Sequence, residues 1–118
     1  MKRYSAKLLF QYCDKANNKP TGKKRLCEER IITFNARSAK RALSIAKKKG
    51  TAAQYDFKTI YNTTNYFEFI GVMELLCLED KCKEGEVWYE LCERLEPMER
   101  KERLIPPENR LEAIRMGE

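Results

Sequence analysis

Cys77, Cys82 and Cys92 are the residues of this chain best suited to metal chemistry. Three thiolates could offer themselves to zinc, but a closed structural site takes four ligands, usually from tighter cysteine pairs and often with histidine. Cys13 or Cys27 would have to supply the fourth. The chain contains no histidine. That removes the commonest general base, the commonest metal ligand and the usual partner of a nucleophilic serine or cysteine. A catalytic thiolate needs such a base or a positive microenvironment. Five cysteines, odd in number and irregular in spacing, do not make a disulfide framework. They read as reduced packing residues, in keeping with a cytosolic redox poise. The acid pairs Glu86/Glu90 and Asp56/Glu68 have the residue types for two-carboxylate chemistry. Strand-surface glutamates are ordinarily solvated, and no Gly-rich phosphate loop or aspartate cluster accompanies these. The expectation is a protein without catalytic residues, metal or cofactor.

The second chemistry available is electrostatic. Residues 1–50 hold fifteen Lys/Arg against three acids, a net +12, and residues 51–118 hold nine against fifteen, a net −6. The overall +6 therefore hides a bipolar molecule, whose field steers partners without naming them. The basic candidates are Lys19, Lys23, Lys24 and Arg25 in one loop and Lys40, Arg41, Lys47, Lys48 and Lys49 on one helix. They form a single positive surface if loop and helix lie on one side. Aromatic anchors for a partner are Tyr61, Tyr66, Trp88 and Tyr89, and Tyr12 and Tyr55 are further rings available for stacking.

The elements that must position these residues follow from periodicity. Residues 3–13 alternate, with Tyr4, Ala6, Leu8, Phe10 and Tyr12 on one face of a strand. Leu9 and Cys13 interrupt the polar face, so that face is expected to be partly covered. Residues 14–25 form a turn-rich loop, and a strand over 26–36 returns as a long hairpin. Ser38 is an N-cap for a helix over 39–49, whose stripe is Ala39, Ala42, Leu43 and Ala46. Gly50 suits the residue just past its end. Lys40 and Arg41 sit in the first turn, where cations are unfavourable against the dipole. Helix stability does not explain them, which is a functional hint.

Residues 55–61 read as a third strand, 62–65 as a turn and 66–78 as a fourth strand, with Phe67, Phe69 and Met73 on one face and Ile70, Val72 and Leu76 on the other. Gly71 in its middle marks a bulge or a close backbone approach. Residues 86–95 read as a fifth strand, with a helix as the alternative because glutamate and leucine are good helix formers. Beyond Pro97 lies a charged stretch, and Pro107 and Glu108 open a short helix over 108–116 with Leu111 and Ile114 on one face. The fold class is α+β, an antiparallel sheet of about five strands in the order β-β-α-β-β-β with one packed helix and a short C-terminal helix or tail. Residues 1–95 form the domain and 96–118 the charged tail. The longest apolar run, residues 69–78, is interrupted by Glu74 and falls short of the ~20 residues of a membrane span. The N-terminus lacks a signal-peptide pattern. A cytoplasmic protein with no membrane partner is expected.

Tyr4-Ser5-Ala6-Lys7-Leu8-Leu9-Phe10, then Glu28-Glu29-Arg30-Ile31-Ile32, Ala36-Arg37-Ser38-Ala39 and Phe67-Glu68-Phe69-Ile70-Gly71-Val72 occur in that order. Together they resemble a small bacterial family, domain of unknown function 4288, over roughly residues 4–90. Lys40 and Arg41, where acids are usual, and the extension after Leu95 depart from its pattern. The resemblance implies a fold and a bacterial source and carries over no catalytic residue.

Two functions fit these readings. The first is a non-enzymatic protein-interaction domain of the immunity or antitoxin type, neutralising a toxin by direct binding, with charge complementarity speeding encounter and aromatic anchors supplying affinity. The alternative is sequence-independent nucleic-acid binding by the basic loop and helix.

Overall fold

The computed structural model describes residues 1–16, 19–20, 22–78 and 85–117, and for residues 16, 19–20 and 85–90 it describes the backbone alone. Strand β1 (Lys2–Ala16) pairs antiparallel with β3 (Lys24–Ala36) on one side and with β5 (Thr64–Leu78) on the other. β4 (Tyr55–Lys58) pairs with the start of β5, and β6 (Gly85–Leu95) pairs with β3. The sheet order is β4-β5-β1-β3-β6, and the two-residue β2 (Lys19–Pro20) caps the end of β1. The α+β architecture is as expected, and β6 is a strand rather than a helix.

β1 is the central strand, and its alternation decides both cores. Tyr4, Ala6, Leu8 and Phe10 are buried on the face that carries helix α1 (Ala39–Ala52). Leu9, Gln11 and Cys13 are buried on the opposite face. The interrupted polar face of β1 is therefore covered, as its Leu9 and Cys13 foretold. β1 extends three residues further than expected and β3 starts two earlier. The β1–β5 ladder continues to Cys13↔Tyr66 and Asp14↔Asn65 and holds the chain extended. The expected loop of residues 14–25 shrinks accordingly, and Asn17, Asn18 and Thr21 lie outside the described residues.

Ser38 caps α1 by accepting a hydrogen bond from the Arg41 amide at 3.2 Å. Ala39, Ala42, Leu43 and Ala46 form its buried stripe. The helix does not stop at Lys49. It runs through Gly50, which is buried inside it. A β-carbon on Gly50 would lie 2.5 Å from the Phe69 ring. The glycine is there for close packing between helix and sheet, not for left-handed backbone.

β4 ends at Lys58 instead of Tyr61. A tight turn takes over, closed by the Thr59 amide donating to the Thr63 carbonyl at 2.8 Å, with Asn62 at φ 60°. In β5, register shifts against β1 flank Gly71, leaving Ile70 and Met73 as extra residues. These bulges reset the alternation. Phe67, Phe69, Val72, Leu75 and Cys77 pack on the helix side, and Ile70 and Met73 on the other. The simple alternation expected for residues 66–78 fails after the first bulge. Gly71 also admits a close approach: a β-carbon there would lie 2.9 Å from Ile105.

The segment after β6 straps the sheet. Pro97 is fully buried, and Met98, Leu104 and Ile105 pack on Leu9, Cys27 and Ile70, opposite α1. Within it lies the single turn α2 (Lys101–Leu104). The chain then rounds the outer edge of β5, and Leu111 and Ala113 enter the core on the α1 side at 3% and 0% exposure. The continuous helix expected over 108–116 is broken. A 3-10 turn (Glu108–Arg110) and α3 (Glu112–Arg115) are separated by an extended Leu111 with ψ 129°.

Candidate interaction face

Helix α1 covers only part of its side of the sheet. Its 14 residues span about 21 Å, whereas the 15 residues of β1 span about 50 Å. The half nearest the β1–β3 hairpin is left without a helix. Its floor is aromatic: Phe67 lies 4.6 Å from Phe10, 4.8 Å from Tyr12 and 5.0 Å from Tyr55, centroid to centroid. Tyr55 lies 6.0 Å from Phe57. Apolar side chains stand exposed on three strands of this half: Tyr55 51% and Phe57 42% on β4, Leu26 42% on β3, Leu91 and Leu95 54% on β6. Pairing brings them to one surface, since Leu26 faces Glu93, Lys24 faces Leu95 and Glu28 faces Leu91. At the hairpin end a cleft of about 420 Å³ opens between Tyr12, Asp14, Lys24, Leu26, Phe57 and Asn65.

The charges on this face are matched locally. Arg30 donates to Glu28 at 2.7 Å, and its guanidinium lies 5.0 Å from the centre of the Phe10 ring. Lys24 stands 3.7 Å from Glu93. Burial, and after it the hydrogen bond to Tyr55, pushes the Tyr12 phenol up to about 12, so it stays neutral.

The opposite face carries a polar network beneath and beside the strap. Arg25, 4% exposed, donates to both Glu99 oxygens at 2.7 and 2.6 Å, to Gln11 Oε1 at 3.0 Å and to the Gly22 carbonyl at 2.6 Å. Gln11 in turn donates to Glu68 at 2.9 Å, and Glu68 also accepts from Cys13 and pairs with Lys15. A separate cluster joins Glu29 to Lys7 at 3.2 Å and to Arg94 at 3.0 Å. Burial works to raise Glu29 and Glu68, but the bonds from their cationic partners outweigh it and hold both below the usual carboxylate range. Arg25 holds Glu99 down in the same direction.

A depressed carboxylate contributes stability that is complete above its unfolded value of about 4.3 and is lost as pH falls through the lower folded value. Chemical denaturation between pH 7 and pH 3 is therefore expected to show stability holding to about pH 5 and falling below it. Glu68→Gln is expected to flatten that fall, and an unchanged acid limb in this variant would contradict the assignment.

The structure disperses the basic residues that the sequence grouped. Arg25 is not a surface contact. A bidentate carboxylate partner, Glu99, and two further acceptors hold it in the network beneath the strap. Lys24 and Lys47 each have a carboxylate, Glu93 and Glu108. Lys23, Lys40, Arg41 and Lys48 are exposed. Lys23 and Lys24 stand at the hairpin end, whereas Lys40 and Arg41 follow Ala36, which pairs with Lys2 at the other end of a molecule 47 Å long. Loop and helix start do not share one surface.

Tyr61 is 82% exposed at the tip of the β4–β5 turn, and Tyr66 is half-buried with Lys15 Nζ 4.9 Å from its ring centre. Trp88 and Tyr89 lie opposite Ile31 and Arg30 in the ladder, and their side chains lie outside the described residues. Leu26, Phe57, Leu91 and Leu95 were not singled out from the sequence as contacts. Their alternation was legible, but the limit of α1's coverage was not.

The cysteines are likewise dispersed. Cys77 packs on the α1 side and Cys92 on the strap side, so the sheet separates them. Cys82, Glu86 and Glu90 have no described side chains. Burial raises Cys13 to about 12 and Cys27 to about 11, which keeps both as neutral thiols. Among the described residues no cluster of three metal-ligating side chains occurs, and no helix is long and apolar enough to cross a membrane.

A family model described as Domain of unknown function (DUF4288) matches residues 3–89, from β1 into β6. No curated protein and no solved structure matches the chain.

Proposed function

The chain belongs to this family, and from that footing we propose that it is a non-enzymatic protein-interaction domain that receives a protein partner on the open half of its sheet, in the manner of an immunity or antitoxin-type protein. The observation that carries this reading is the field of exposed Leu26, Tyr55, Phe57, Leu91 and Leu95 on one uncovered sheet face. Exposed apolar side chains gathered on one face, here interleaved with Lys24, Glu28 and Glu93, suit an interaction site, and aromatic residues are enriched in such sites. Rings already packed on Phe67 offer anchors with little side-chain freedom left to lose.

The engagement of Glu28, Glu29, Glu68 and Glu99 with cations supports a structural role for these acids over an acid–base one. Nucleic-acid binding is the weaker reading. The cations of the open face are matched by Glu28 and Glu93, and the exposed Lys23 and Lys40 lie at opposite ends of the sheet. Phosphate binding gains most from several unmatched cations in one place.

The test uses affinity purification of the full chain from its own host, comparing Phe57→Asp with the set Lys23→Ser, Lys40→Ser and Lys48→Ser. A stoichiometric protein partner retained by the lysine set and lost from Phe57→Asp is the expected result. Enrichment of nucleic acid alone, abolished by the lysine set and untouched by Phe57→Asp, would overturn it.

A further inference from the structure

The two edges of the sheet are treated differently. β4 pairs with the first residues of β5, and the strap rounds the rest of that edge. β6 forms the other edge. It is 11 residues long, pairs with β3 on its inner side, and no other described strand pairs with its outer side. A long edge strand presents a row of unpaired backbone groups, and proteins usually blunt such edges with charged side chains, prolines, bulges, short length or a covering segment; β6 carries only the charges, both signs of them, over 89–95. β6 has one irregularity, near its start, where the register shifts between Ile31↔Trp88 and Ile32↔Glu86. Over 89–95 the ladder is regular and contains no proline. Leu91 and Leu95 stand 54% exposed along that stretch.

We propose that β6 pairs antiparallel with β6 of a second copy of this chain, about a two-fold axis at Cys92, so that two sheets become one. Charge selects both occupant and register. Centred on Cys92, an antiparallel pair sets Glu90 opposite Arg94 and Tyr89 opposite Leu95, each twice by symmetry. A centre at Glu93 instead opposes Glu93 to itself and Glu90 to Glu96, and a centre at Leu91 opposes Arg94 to Trp88. Opposite charges directly across a ladder stabilise it and like charges destabilise it. Arg94 is available for this contact because 29% of its side chain is exposed even while it pairs with Glu29. The dimer would double the open face and place Leu91 and Leu95 at the joint between the halves. This inference stands independently of the proposed partner.

Sedimentation velocity of the full chain over a concentration series, with hydrogen exchange at the same concentrations, tests it. The expected result is a monomer–dimer equilibrium in which amides of residues 89–95 become protected as the dimer fills. Glu90→Arg is expected to weaken the dimer roughly tenfold, because the repulsive pair with Arg94 occurs twice. A monomer at every concentration would overturn the proposal, whether or not some other protein's strand pairs with β6. So would a dimer that leaves exchange over 89–95 unchanged. Exchange is read on the unaltered chain, so the proposal stays decidable even if Glu90→Arg fails to fold.

Discussion

Arg25→Ala is expected to lower the unfolding free energy by about 3 kcal/mol, a value at the low end of what breaking a buried ion pair costs. The loss has three parts. Gln11 Oε1, itself on a residue 1% exposed, loses its donor, the Gly22 carbonyl loses its partner, and Glu99 loses both bonds of its fork. A buried acceptor left unpaired costs about 1–3 kcal/mol. The low end of the range applies because 42% of the Glu99 side chain is already in water, so its orphaned carboxylate can be hydrated. Urea denaturation reads the effect as a shift in midpoint at unchanged slope. Lys23→Ala in the same loop is the control. An exposed lysine with no ion pair among the described residues is expected to change stability by no more than about 0.5 kcal/mol. Equal effects of the two variants would mean that Arg25 is a surface residue after all.

The second large effect is expected from ending the chain at residue 96. The sequence presents the remainder as a charged tail, yet Pro97, Leu111 and Ala113 are fully or almost fully buried, and Met98, Leu104, Ile105 and Ile114 pack against the two cores. Burying one large apolar side chain is worth about 1.5–3 kcal/mol. Several together approach the whole stability of a small domain, about 5–15 kcal/mol. The shortened chain would also expose Leu9, Cys27 and Ile70, and it would leave Arg25 without Glu99. Loss of a cooperative thermal transition and of near-ultraviolet dichroism is the expected outcome. A sharp melt with native dichroism from residues 1–96 would show that the strap is dispensable to the fold. Leu111→Ala is a milder variant, and its expected cost is about 2–4 kcal/mol.

Where local chemistry chose the backbone, the sequence was legible. The alternation of Tyr4, Ala6, Leu8 and Phe10 specified a strand with one buried face, and Leu9 and Cys13 announced the cover on the other. Ser38 with the stripe Ala39, Ala42, Leu43 and Ala46 specified a capped helix and the face it buries. Gly71 announced an irregular strand with a close approach, and the structure has both, two bulges and the Ile105 side chain. Each of these is a short-range decision, made by side-chain period, a cap hydroxyl or a missing β-carbon within a few residues.

What only the tertiary structure decided depends on partners distant in sequence. Gly50 reads as a helix stop until Phe69, on another strand, is seen to occupy its missing side chain. Arg25 reads as one more loop cation until Glu99, 74 residues away, closes on it. The loop lysines and the basic first turn of the helix read as one surface until the length of β1 holds Lys23 and Lys40 apart. The open face is the clearest case. Its aromatic and leucine positions are written in the strands, but whether they are core or surface depends on where a 14-residue helix ends on a 15-residue strand. The sequence by itself determined the elements and which side of each is apolar. Packing decided which of those apolar sides are spent inside the molecule and which are left for something else, because burial is a property of pairs of surfaces and each strand encodes only one.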